Sequence, residues 1–186
     1  DSARNEEVSS WVTDDGRALP TMYGRHETDF VRMCETEDLD LVFTATPWEW
    51  HVPVCVSAME NEKHAATEVP AAYATDDCWR LVDYAEKYRK HCVMMENCNY
   101  DRPEMMVFHM ARLGLFGDIL HAECGYLHDL REIKFSEVGE GLWRRAHSMV
   151  RDGNLYPTHG LGPVANVMDI NRGDQFEYLV SMSSPS

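Results

Sequence analysis

The chain has 186 residues, of which 44% are apolar, enough for one medium domain or parts of two around a core that needs no staples. Its formal net charge of −15 argues against nucleic acid or an anionic membrane as a main partner, because phosphate would be repelled. No stretch approaches the roughly 20 continuous apolar residues of a membrane helix, so no membrane span is expected.

The first twenty residues are polar and rich in turn formers, and read as a frayed helix and a loop. Helical spacing of Phe30, Met33 and Cys34 predicts a helix over 26–37. Leu41 to Ala45 is a short apolar run that predicts a strand buried on both faces, ended by Pro47. Val52, Cys55, Val56 and Met59 then mark one face of a helix over 51–61. A second strand is expected over 63–69, closed by Pro70. Thr75 is the expected cap of a third helix, with Asp76 and Asp77 in its first turn and Lys87, Arg89 and Lys90 in its last, an order that suits the helix dipole. Cys78, Leu81, Val82 and Ala85 form its expected buried stripe.

A third strand is expected over 92–95. Asp101, Pro103 and Glu104 then open a helix that Gly114 ends. Strand and helix alternating at short intervals predict right-handed βαβ units and a parallel sheet. The pattern changes after Gly117: Ile119 to Tyr126 and Phe176 to Met182 read as strands, with a helix near 159–170 between them. That is how a second, more open sheet domain would begin.

The six cysteines, Cys34, Cys55, Cys78, Cys92, Cys98 and Cys124, contain no Cys-x-x-Cys pair. Neither a zinc ribbon nor a dithiol motif is expected, no metal site is assigned, and most of these thiols are read as small buried groups. The chain starts with Asp1, so a missing signal peptide carries no information on compartment.

Ligands of an open parallel sheet bind beyond the carboxyl ends of its strands. The three ends here carry Thr46-Pro47-Trp48-Glu49-Trp50-His51, Glu68-Val69-Pro70 and Glu96-Asn97-Cys98-Asn99-Tyr100. Each has a plain reading: aromatic rings capping the core, a helix N-terminal charge, an amide satisfying loop backbone. Their joint position on one side of the sheet favours a shared crevice.

These strings are also where the sequence resembles a known family. Ala45-Thr46-Pro47-Trp48-Glu49-Trp50-His51, Ala66-Thr67-Glu68-Val69-Pro70-Ala71-Ala72, Met95-Glu96-Asn97-Cys98-Asn99-Tyr100, Gly125-Tyr126-Leu127-His128-Asp129-Leu130-Arg131 and the run from Asn154 to Val164 resemble the Gfo/Idh/MocA oxidoreductase-like proteins, and among them glycoside hydrolase family 109, the NAD-dependent α-N-acetylgalactosaminidases. Sugar dehydrogenases of the superfamily have Glu-Lys-Pro, whose lysine helps remove a hydroxyl proton. Val69 stands in that place here and can move no proton, and Glu-Val-Pro is the form usual in the glycosidase family.

The resemblance implies an α/β fold: a truncated Rossmann-type NAD-binding domain over 1–116, followed over 117–186 by the start of the α+β C-terminal sheet domain that meets substrate. It implies a bacterial glycosidase that cleaves terminal α-N-acetylgalactosamine or a related sugar by transient oxidation at C3, elimination and water addition, an exception to the two-carboxylate scheme. By the same resemblance Trp48, Glu49, Trp50, His51, Glu68, Val69 and Asn97 would line NAD. Tyr126, Arg144 or Arg145, Tyr156, Pro157, Thr158 and His159 would meet the sugar. His159 is the first choice for proton transfer, because imidazole titrates nearest neutrality, with Tyr156 and Tyr126 behind it. A phenol needs its pKa depressed to act as a base. His128-Asp129 reads as a structural hydrogen bond rather than a metal or relay pair.

Other readings are an NAD(P)-dependent sugar dehydrogenase with another base and a non-catalytic sugar-binding relative. No Gly-x-Gly-x-x-Gly string is present, so the chain alone is expected to bind NAD poorly and to associate with itself, including as a homo-oligomer. Export by the twin-arginine route is the habit of many relatives, with the cytoplasm as the alternative.

Overall fold

The computed structural model describes residues 19–138, 141–154 and 156–184. The frayed helix expected before residue 19 lies outside them. The chain forms two compact units, Asp1–Asp38 and Leu39–Ser186. In the first, helix α1 (Phe30–Thr36) follows a turn rather than starting at His26. The buried Asp29 carboxylate accepts from Arg32 Nε at 2.8 Å and Nη2 at 2.9 Å, and that pairing lowers its pKa to about 2.

The second unit is built on a parallel sheet of β1 (Leu41–Thr44), β2 (His64–Thr67) and β3 (Cys92–Met94), in that order. Leu41 pairs with His64 and Ala65 with Cys92, so all three carboxyl ends point the same way. Helix α2 (His51–Glu60) is the covering layer: Val52, Val54, Cys55, Val56, Ala58 and Met59 are all buried. A 3-10 turn (Trp48–Trp50) leads into it from β1. Helix α3 (Thr75–Tyr88) packs on α2 and β3, and α4 (Arg102–Arg112) follows β3 after a 3-10 turn at Asn97–Asn99. Parallel pairing of successive strands through helices is the expected βαβ order.

Several local expectations are corrected. β1 is buried on one face only: Val42 and Thr44 are covered while Leu41 and Phe43 stay about half exposed, because among the described residues β1 pairs only with β2 and α2 covers one side. Ala74, not Thr75, holds the cap position of α3, with no side-chain cap bond, and only Leu81 of its expected stripe is buried. Cys34 and Cys55 are buried, but Cys78 and Cys124 are exposed.

The larger correction concerns residues 117–184. Neither 119–126 nor 176–182 forms a strand, since each extended segment lacks a ladder partner among the described residues. Three helices occur instead: α5 (Arg131–Lys134), α6 (Gly141–Val150) and α7 (Pro157–Val167). α6 had a readable signal in Leu142, Trp143, Ala146, Met149 and Val150, which recur at helical spacing. Among the described residues no helix is long and apolar enough to cross a membrane.

Candidate active site

The three strand ends and the front of α7 enclose one crevice of about 720 Å³. From the sheet come Phe43, Glu68, Val69 and Asn97, and facing them are Tyr126, Arg144, Tyr156 and His159.

Pro157 opens α7, which suits a first-turn position that needs no N–H partner. Two glycines let this helix approach closely. A Cβ on Gly162 would sit 2.7 Å from Asn99 Oδ1, and one on Gly160 would sit 2.9 Å from Cys124 Sγ. The helix therefore docks directly on the Asn97–Asn99 turn and brings His159 to Glu96. His159 Nδ1 lies 2.7 Å from Glu96 Oε1, with the carboxylate almost fully buried and the imidazole mostly so. Glu96 engages Nδ1, so Nε2 is the ring nitrogen not held by this contact.

The Tyr156 ring stacks on His159 with centroids 5.1 Å apart and planes 1° from parallel. Tyr126 closes the group at 5.3 Å from Tyr156 and 5.1 Å from His159. Arg144, on α6, donates through Nη1 to the Tyr156 hydroxyl and lies over the Trp143 ring at 4.3 Å. Tyr126 Oη is 2.6 Å from His128 Nδ1. Burial pushes the Tyr126 phenol up, against the depression that a base requires.

Beneath these rings Trp48, Val69 and Tyr156 form a small buried cluster, with Met94, Tyr126 and Trp143 packed on it. Val69 is thus both crevice wall and core. A lysine there would carry its stem and charge into apolar contacts.

The sequence-predicted residues divide between this crevice and its surroundings. Trp48 is buried edge-on against Tyr156 and Trp143 rather than open to the crevice. His51 is fully buried, its Nδ1 2.7 Å from Pro70 O and its Nε2 2.9 Å from Thr46 O, so it ties two loops together and is not among the residues lining the crevice. Glu49 is outside the crevice and meets His147 Nε2 at 3.4 Å; Trp50 is half-buried and also outside. Arg144, and not Arg145, lines the crevice. Pro157 and Thr158 face a neighbouring cleft of about 610 Å³ behind Trp48, bounded by Tyr73 and Asn154.

His128 and Asp129 do not pair with each other in the way expected. His128 meets Tyr126, and the exposed Asp129 forms an ion pair with Arg131 at 2.6 Å because a guanidinium is within reach two residues on. Glu96 and Trp143 were not assigned from sequence. Glu96 had a signal in its place at a strand end, but its partner lies 63 residues away.

Residues 100–186 match the family described as Glycosyl hydrolase 109, C-terminal domain. Over 187 residues, covering all of this chain, it is 47% identical to a glycosyl hydrolase family 109 protein of Shewanella woodyi, and over 179 residues (95% of the chain) 51% identical to one of Solibacter usitatus. The chain spans about 40% of the length of these curated relatives. Among solved structures it is similar in fold to an oxidoreductase domain protein from Kribbella flavida, with TM-score 0.63 and 19% identity over 75% of this chain and 38% of that one.

Proposed function

The chain belongs to glycosyl hydrolase family 109, with the fold of the Gfo/Idh/MocA oxidoreductases, and from that premise we propose that it forms the sugar-facing part of an NAD-dependent α-N-acetylgalactosaminidase. The observation that carries the reading is the His159–Glu96 pair, 2.7 Å apart, beside Tyr156 and Arg144 where three strand ends meet.

The residues present suit a nicotinamide. Phe43 and Val69 give an uncharged wall, and Asn97 gives an amide at its edge, the combination a planar carboxamide-bearing ring requires. Glu68, Val69 and Asn97 are the residues that would hold it. When bound, the cofactor supplies a reversible hydride acceptor for sugar C3, which acidifies the C2 proton and permits loss of the C1 substituent with no net redox change.

The protein's own groups do the rest. Glu96 fixes the His159 ring and the proton on Nδ1, so Nε2 is presented in one orientation as the group that takes and returns a sugar hydroxyl proton. Arg144, held on Tyr156, places a cation where negative charge develops on a sugar oxygen. Tyr126 offers aromatic surface to the apolar side of a sugar ring, while the largely buried Tyr156 backs His159 and holds Arg144 at the crevice wall. Val69 keeps a competing base out of the crevice, which favours return of the hydride over release of an oxidised sugar.

The test is the enzyme supplied with NAD and an aryl α-N-acetylgalactosaminide. Aryl release without accumulation of NADH is expected. Accumulation of NADH with free sugar, and no aryl release, would replace the glycosidase by a sugar dehydrogenase.

A further inference from the structure

The pair that orients His159 has a third neighbour that the proposed reaction does not use. A carboxylate oxygen of Glu96, Cys98 Sγ and a ring nitrogen of His159 all lie within 4.8 Å of one another. Two come from the loop after β3 and one from α7. A shared zinc ion, with bonds of about 2.0–2.3 Å, would draw such atoms inward by roughly 1 Å, a movement within reach of side-chain rotation.

Charge points the same way. Glu96 is 2% exposed, and its Oε2 is buried with no hydrogen-bond partner among the described residues, a costly condition for a carboxylate oxygen. Asp101 and Glu104 lie close enough to add negative charge around Cys98. A carboxylate and a thiolate would balance one divalent cation, and the thiol proton would leave to solvent on binding. Sulfur and imidazole in one ligand set favour zinc-like ions over magnesium or calcium.

We propose that Glu96, Cys98 and His159 form a site for a thiophilic divalent cation, with water from the crevice in the fourth position, and that its occupation withdraws His159 from proton transfer. The ion is an inhibitor, not a cofactor. The inhibition rests on the function proposed above, whereas the binding does not.

Zinc titrated calorimetrically into the protein is expected to bind at one site, at least about 100-fold more weakly in Cys98→Ala and His159→Asn, and unchanged in Cys78→Ala, whose exposed thiol lies elsewhere. Cobalt, used as a spectroscopic substitute, should give a thiolate charge-transfer absorption that Cys98→Ala lacks. In the active enzyme, zinc should suppress aryl release reversibly by chelator, and the Cys98→Ala variant should resist it. Equal zinc affinity in Cys98→Ala and wild type, or no cobalt–thiolate band, would overturn the site. A cobalt band with no glycosidase activity at all would instead leave the site standing and remove the function proposed above.

Discussion

Residues 39–112 and residues 117–184 are held by different forces. The first region has a backbone ladder of three strands and a helix, α2, whose residues are almost all buried. The second has short helices joined by extended, exposed segments, and Leu127 within one of them is 99% exposed. Yet Tyr126, Arg144, Tyr156 and His159 all belong to the second region, while their fixed points, Trp48, Glu96 and Asn99, belong to the first. The sheet is the scaffold, and the chemistry is docked on it through a few side-chain contacts. Breaking those contacts should separate the two regions.

The largest effect is expected from His159→Asn, which keeps the size and removes the titrating nitrogen: turnover should fall roughly 10²- to 10⁴-fold, with NAD affinity unchanged, as steady-state rates and cofactor titration would record. Next is Trp48→Ala, which removes the ring between Trp143 and Tyr156. It should cost about 3–5 kcal/mol, read by hydrogen exchange as lost protection over 141–167 while β1–β3 amides keep theirs. Gly162→Ala, which thrusts a methyl at Asn99, should cost about 1–3 kcal/mol in denaturant unfolding and lower activity by loosening the His159–Glu96 contact. At the small end stands Asp129→Ala. Its ion pair with Arg131 is exposed on both sides, so unfolding midpoints should not move measurably.

The same division explains what could be read from sequence. β1 to β3 and α2 to α4 are legible because their apolar spacing and their proline and glycine stops are local signals. The strand pattern of 119–126 misled because alternation licenses a strand only where a partner edge exists. His51 looked like a ligand residue from its place in a strand-end loop; only coordinates reveal Thr46 and Pro70 carbonyls on both its nitrogens. Glu96 is the opposite case, since nothing near it in sequence announces His159. Choosing Arg144 over Arg145 needed α6, whose turn decides which guanidinium reaches Tyr156.

His159 and its neighbours are proposed to act on a sugar whose C2 proton becomes exchangeable during hydrolysis. Cleavage of an aryl α-N-acetylgalactosaminide in heavy water, followed by NMR of the released sugar, tests this directly. Deuterium at C2 in wild type, with release and label both suppressed in His159→Asn, is the predicted result. Full hydrolysis with protium retained at C2 would contradict it.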